Sequence, residues 1–384
     1  MARSKNQKQV SALAARFAGA GLIPASEVFT PVLAVPTRFV QVDFATRVWG
    51  WPIQRVCVIH GPSNEGKSAF AMGLCGSFVD HGGMAKYDDA ERTTVPSWAR
   101  TLIGGAFDSE RFIGTKPESY ETCVDQSRDF HKAVAAARTA GELPPHASAI
   151  QVVDSLRKLV PDDILAKIKK EGAGGAKGSV DGMGGRAAQI RAALNAAWLD
   201  ELIPLTDACS TAWLCIARES ENTEKDGMWD IDYKVQGGKA IVYDSALRCR
   251  IERKGWVTIP DGDRKKVVGE RHQVSILKTK IGAKEGKSTF AYFHTSNGEI
   301  APAGFDRARD VVEIAIRFGL VQTGAGGTSW NGAKWRSLEK FIAALQPSGS
   351  AASAECEELE AQVRAKFVEN DSDEDEAKEA PTDE

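Results

Sequence analysis

The 384-residue chain has no apolar run approaching the ~18 residues that a membrane span needs, and its basic start, with Arg3, Lys5 and Lys8, leads into no hydrophobic block of the signal-peptide kind. These absences predict a soluble, intracellular protein. Its six histidines are dispersed and its seven cysteines form no CxxC pair, which argues against a zinc site or a disulfide framework and for reduced, mostly buried thiols. A charge excess of either sign is also missing, because 49 Lys and Arg against 52 Asp and Glu leave a net charge of -3. That balance is a sum of unlike parts. Residues 369–384 carry nine acids and one base, Lys378, so the rest of the chain is positive by about five charges. With 42% hydrophobic and 26% charged residues, the chain has material for one sizeable core and a satellite.

Residues 1–34 are Ala-rich, with one helical stretch at 10–20 followed by Pro24 and Pro31, and they read as an appendage. From Arg55 onward, apolar strands at 56–59, a short one ending at Tyr87, and others at 111–114, 149–153 and 212–216 alternate with helices at 69–79, near 98–103, 119–140 and 186–202. Such alternation predicts a parallel sheet covered on both faces, extended by later strands at 246–251, 273–278 and 288–293. Two long stretches break the pattern: 171–185, with seven glycines, and 219–238, polar with an embedded Met228-Trp229 pair. Loops of this length inside a compact domain are usually functional or disordered. The expected domains are a 1–34 appendage, a 35–300 core, a small helical unit over 301–346, and a linker, helix and acidic tail over 347–384.

Gly61-Pro62-Ser63-Asn64-Glu65-Gly66-Lys67-Ser68 fits GxxxxGK[ST] between an apolar strand and an apolar-periodic helix. Glycines let successive backbone N–H groups turn inward on phosphates, and the helix N-terminus adds a dipole that favours negative charge. Lys67 is expected to reach the β- and γ-phosphates and Ser68 to ligate magnesium, which makes ATP and Mg2+ the expected cofactors. Ligands of a parallel sheet collect at the carboxyl ends of its strands. Asp154, closing the run 150–153, is the expected partner of the magnesium, directly or through water. Phosphoryl transfer also needs a group that orients the attacking water, and on composition Asp88, Asp89 and Glu91 compete for that role.

GPSNEGKS, YDDAER, VVDSLRKLVP, QGGKAIVY and LKTKIG occur in the order and spacing of the RecA recombinase family. The chain resembles a divergent, phage-type member of that family over residues 35–293, and more weakly beyond 301. The resemblance implies a RecA-like P-loop ATPase core, α/β with a mainly parallel sheet flanked by helices, a short N-terminal helix and a small C-terminal α-rich domain. It implies a DNA-dependent ATPase of homologous recombination and repair. Such a protein forms a helical homo-oligomeric filament on single-stranded DNA, searches double-stranded DNA for homology and exchanges strands. The implied setting is a bacterial or phage-infected cytoplasm, with single-strand-binding and loader proteins as further partners.

Residue by residue, Glu91 matches the family's catalytic glutamate, and Trp98 falls where an aromatic stacks on adenine. Lys278 and Lys280 match a pair that crosses a subunit boundary to the neighbour's γ-phosphate. Arg218 falls at the γ-phosphate sensor, a glutamine in the family, with Glu219 in that place if the register slips. Tyr243 matches an aromatic that links neighbouring subunits, and the amino-terminal helix a segment that packs on the next subunit. The stretches 171–185 and 219–238 match the two DNA-binding loops. Met183 and Arg186 are the implied contacts of the first. Met228 or Trp229 is the implied base wedge of the second, with Lys225, Lys234, Gly237, Gly238 and Lys239 along the backbone. The second loop departs from a DNA-facing surface in carrying Glu219, Glu221, Glu224, Asp226, Asp230 and Asp232 against two lysines. The acidic tail matches the family's own, and its removal after about Phe367 is expected to tighten DNA binding. Two rival readings share the phosphate loop: a ring-forming DNA translocase of the helicase kind, and a non-catalytic RecA-fold scaffold. The helical unit and tail after Ala301 favour the recombinase over the ring. Lys67, Asp154 and Glu91 together weigh against the scaffold.

Overall fold

A computed structural model describes residues 31–144, 146–173, 184–221, 233–282, 286–294, 303–346 and 353–379. The chain divides into two units, Met1–Leu33 and Ala34–Glu384. The helix expected at 10–20 lies outside the described residues.

In chain order the elements are α1 (Val40–Thr46), β1 (Arg55–Gly61), α2 (Lys67–Asp80), β2 (Met84–Asp89), α3 (Pro96–Ile103), β3 (Phe112–Thr115), α4 (Tyr120–Thr139), β4 (Ala149–Asp154), α5 (Asp162–Ala173) and α6 (Gly184–Ala208). They continue with β5 (Thr211–Glu221), β6 (Tyr233–Val235), α7 (Lys239–Asp244), β7 (Leu247–Asp261), β8 (Arg264–Thr279), β9 (Gly286–Phe293) and β10 (Gly304–Phe305). The carboxy-terminal part adds α8 (Arg307–Arg317), β11 (Gln322–Gly324), β12 (Gly327–Trp330), β13 (Ala333–Trp335), α9 (Leu338–Leu345) and α10 (Ala354–Glu379).

Ten strands form one sheet in the order β10-β9-β8-β7-β1-β5-β4-β2-β3, with β6 paired on β5. The segment from β7 through β1, β5, β4 and β2 to β3 is parallel, and the remaining pairs are antiparallel. The apolar runs of β1 and β4 are buried almost end to end, as strands covered on both faces must be. On one face, α4 and α6 bring Cys123, Val124, Trp198 and Leu202 against Val58, Val153 and Trp213. The Trp198 and Trp213 rings meet edge to face at 5.2 Å, and each indole buried to this extent contributes about 4–6 kcal/mol of apolar burial. On the other face lies α2, whose Phe70, Met72, Leu74 and Phe78 are all but inaccessible.

The sheet extension expected from the sequence is a long β7–β8 hairpin that carries β9 and β10. A second apolar cluster joins α8, α9 and α10 to Val40 and Trp49. There α10 is anchored by Phe367, which packs on Trp49 and Phe44 at 5.2 and 5.8 Å, and the helix continues to Glu379. Helix α9 starts at Leu338. Its Ser337 side chain caps the Lys340 N–H, while 333–335 is claimed by the small β11–β12–β13 sheet. The second long stretch is also less of a loop than its composition suggests, since its two ends zip into a ribbon with Glu219 opposite Val235 and Glu221 opposite Tyr233. All seven cysteines are free and buried. Among the described residues, no helix is long and apolar enough to cross a membrane.

Candidate active site

The phosphate loop joins the carboxyl end of β1 to α2. Gly61 has φ +152° and a side chain there would run into the Ile251 carbonyl, while Gly66, at φ +83°, lies against the His272 ring. Both positions therefore exclude any residue with a Cβ. Pro62, Ser63 and Asn64 are exposed, and Glu65 is anchored through the Arg253 backbone N–H, which donates to its carboxylate. Lys67 is buried and folded back, its Nζ donating to the Pro62 carbonyl. Burial lowers its pKa against the opposing pull of Asp154.

Strand register gathers the acids beside this loop. Asp89, Asp154 and Ile216 are neighbours across β2, β4 and β5, and Gly61 pairs with Arg218 across β1 and β5. Asp154 Oδ2 accepts from Ser68 Oγ and from Tyr87 OH, each at 2.6 Å. Burial raises the Asp154 pKa, the two hydrogen bonds oppose it, and nearby Glu91 and Asp89 add to it. A buried carboxylate beside a hydroxyl and two further acids is a donor set that fits magnesium, which takes one or two protein oxygens and completes its shell with water and phosphate.

Glu91 follows β2 and its backbone N–H donates to the Asp154 carbonyl, 3.1 Å. Its carboxylate accepts from Ser155 Oγ at 2.6 Å and from Arg218 Nη2 at 2.8 and 2.7 Å. Burial works against the charge, but the bonds from Ser155 and Arg218 prevail and hold its pKa below the usual range. The competing acids are elsewhere. Asp88 is fully buried with Lys86, Thr115 and Gln151, and Asp89 accepts from the Thr93 and Thr94 backbone N–H groups.

Arg218 and Glu219, adjacent on β5, point to opposite faces. Arg218 lines the cleft, whereas Glu219 accepts from Arg250 Nε at 2.7 Å and lies 2.8 Å from His60 Nδ1.

Lys67, Ser68, Glu91, Asp154 and Arg218 line one cleft of about 440 Å3, together with Ser63, Asn64, Thr93, Val95 and half-buried Trp98. Arg253, Glu270 and Tyr292 complete its walls from the antiparallel extension. Lys278 and Lys280 do not line it. Both reach the Tyr243 carbonyl, Lys280 at 3.1 Å, and Lys278 also reaches that of Val242 at 3.0 Å. The Lys280 N–H bonds Ala246, whose own N–H bonds Val56, so this pair lies at the amino end of β1. At about 3.3 Å per residue, that is roughly 15 Å along the strand from the phosphate loop.

Of the expected DNA contacts, Met183, Lys225, Met228 and Trp229 lie outside the described residues, and Arg186 falls in the first turn of α6. Lys234 and Lys239 are exposed. Gly237 and Gly238, both at positive φ, line a second cleft of about 510 Å3 with Arg157, Arg191, Asn195 and Gln236. The Asn195 side chain donates to the Gly237 carbonyl, 2.9 Å, and the Gln236 N–H to that of Arg218, 2.9 Å.

A family model described as the RecA N-terminal domain matches residues 11–296. The chain belongs to the RecA family. Among its relatives, Protein RecA of Chlorobaculum parvum is 27% identical over 79% of this chain and 75% of its own length. Protein RecA of Chlorobium limicola is 29% identical over 76% and 71%, and that of Bifidobacterium breve 27% over 88% and 74%. At family level, membership means an ATPase of DNA recombination and repair that uses ATP with magnesium. In this RecA-family site the sequence reading missed Arg253, Glu270 and Tyr292, which line the cleft, and Tyr87 and Ser155, which bond its carboxylates from behind. Tyr87 and Ser155 sit inside the quoted motifs, next to residues that were assigned, and the alternation along β2 could have found Tyr87. The other three come from strands distant in sequence, whose approach to the loop no local pattern encodes.

Proposed function

We propose that the protein is an ATP-dependent recombinase that assembles as a filament on single-stranded DNA and pairs it with homologous duplex. The observation that supports this best is the convergence of Lys67, Ser68, Glu91, Asp154 and Arg218 in one cleft at the carboxyl ends of adjacent strands, in a RecA-family chain. Lys67 turns from the Pro62 carbonyl to the β- and γ-phosphates, the loop N–H groups cradle them, and Trp98 forms a plate for the adenine. Ser68 and Asp154 would hold magnesium, which would neutralise phosphate charge. Glu91 orients the attacking water.

Lys278 and Lys280, remote from their own chain's cleft, serve the nucleotide of the next copy, as cations supplied across a boundary do. Tyr243, 63% exposed beside them, belongs to the same boundary. Residues 35–300 act as the ATPase core and 301–346 as a small carboxy-terminal domain. Arg157, Arg191, Lys234 and Lys239, with Gly237 and Gly238, meet the DNA backbone, and of the six acids of the second loop Glu219 is turned to His60 and Arg250.

ATP hydrolysis with and without single-stranded DNA tests the reading. The parent is expected to be stimulated by DNA, and Lys67→Ala and Glu91→Gln each to lose about 100-fold or more. A Glu91→Gln protein turning over at the parent rate contradicts the assignment.

A further inference from the structure

Both oxygens of the Glu91 carboxylate are already committed in this chain. Oε1 accepts from Ser155 Oγ at 2.6 Å and from Arg218 Nε and Nη2 at 3.2 and 2.8 Å, and Oε2 accepts from Nη2 at 2.7 Å. The carboxylate assigned to hold the attacking water is thus occupied by a guanidinium. That guanidinium is partly exposed, with 30% of its side chain accessible, and it lines the same cleft as Lys67 and Ser68.

A guanidinium presents a planar fork of donors that suits a carboxylate or a phosphate in the same way, and charge-assisted pairs of either kind are strong enough to compete. The backbone of Arg218 is fixed between Gly61 on β1 and the Gln236 N–H that bonds its carbonyl at 2.9 Å. A change of partner is therefore a side-chain event, made at the foot of the second loop.

We propose that Arg218 is a gate on Glu91: a terminal phosphate in the cleft competes with the Glu91 carboxylate for the guanidinium, and only when Arg218 transfers to the phosphate is Glu91 free to accept from water. Diphosphate lacks the competing group and leaves the pair closed. Arg218 acts here through Glu91 and is a positioning residue. The inference rests on reading the cleft as an ATP site, and it adds to the sensing role expected at this position the restraint of the hydrolytic carboxylate itself.

Competition of this kind appears in binding before any turnover. With magnesium present, affinities for ADP and for the non-hydrolysable β,γ-imido analogue of ATP are measured on the full chain, as parent, Glu91→Gln, Arg218→Gln and the double variant. Glu91→Gln is expected to raise the preference for the triphosphate about tenfold in the parent background and by less than about twofold in the Arg218→Gln background, because the gain passes through the guanidinium. An equal gain in both backgrounds would show simple charge repulsion by Glu91 and overturn the gate, and so would no gain in either. ADP binding by each variant reports an intact fold. A parent protein that binds neither nucleotide overturns the ATP-site reading, and the gate with it.

Discussion

Glu91 and Asp154 are linked through one backbone hydrogen bond of 3.1 Å, yet their carboxyl groups are displaced in opposite directions. Burial dominates at Asp154 and raises its pKa, whereas at Glu91 the bonds from Ser155 and Arg218 overcome burial and lower it. Environments that push neighbouring acids apart assign them different tasks: a ready acceptor at Glu91, and at Asp154 a buried carboxyl whose charge a bound cation would offset. His131 carries a comparable displacement with no place in the site. It is buried against Thr211, with 2.7 Å between Nδ1 and Oγ1, and burial lowers its pKa to about 4. Since that folded value lies below the unfolded one near 6.5, the unfolded chain takes up the proton first, and stability is lost as pH falls from about 6.5 to 4. His131 should cost about 2 kcal/mol between pH 7 and pH 5. Urea unfolding at the two pH values should show the parent losing that much more than His131→Gln, and equal losses would contradict the burial argument.

Among the elements, β5 carries most of the design. It places Trp213 and Cys215 in the core, Arg218 in the cleft and Glu219 on the opposite face, where His60 and Arg250 hold it. The Glu219 side chain is only 6% accessible and Arg250 21%. Removing Arg250 alone therefore leaves a buried carboxylate with His60 and without its cationic partner. Arg250→Leu should destabilise by about 3 kcal/mol in denaturant titrations, and the double change Glu219→Leu with Arg250→Leu should be the milder of the two. A double variant worse than the single one would show that the pair stabilises the ribbon beyond its own desolvation.

The phosphate loop, the parallel sheet and Asp154 were legible because each is a local pattern: a spacing, an alternation, the end of an apolar run. Whether Arg218 or Glu219 faces the nucleotide, and which of Asp88, Asp89 and Glu91 reaches the cleft, depends on strand register and on the turn after β2. Neither is a composition signal. The β7–β9 wall that brings Arg253, Glu270 and Tyr292 to the loop was illegible for the same reason, since its contacts span some two hundred residues.

At the scale of the whole molecule, the near-zero net charge divides into a mildly basic body and a carboxy-terminal tail with nine acids. The site itself divides as well, with Lys67 and Glu91 at one end of β1 and Lys278 and Lys280 at the other. With Lys278 and Lys280 serving the next copy, as proposed above, the active site is complete only between copies. A protein with Lys278→Ala and Lys280→Ala and a protein with Glu91→Gln should each be inactive alone. An equal mixture should regain about a quarter of the parent's DNA-stimulated hydrolysis, as random head-to-tail assembly of the two kinds dictates. No recovery on mixing would place the lysines outside the neighbour's site.

The claim that this chain is a recombinase is tested most directly by joint-molecule formation, with single-stranded DNA offered homologous or heterologous duplex in the presence of ATP and magnesium. Joint molecules with the homologous duplex alone, absent for Lys67→Ala, are the predicted result. Equal yields from both duplexes, or none from the homologous one by a parent protein that hydrolyses ATP on single-stranded DNA, would contradict it.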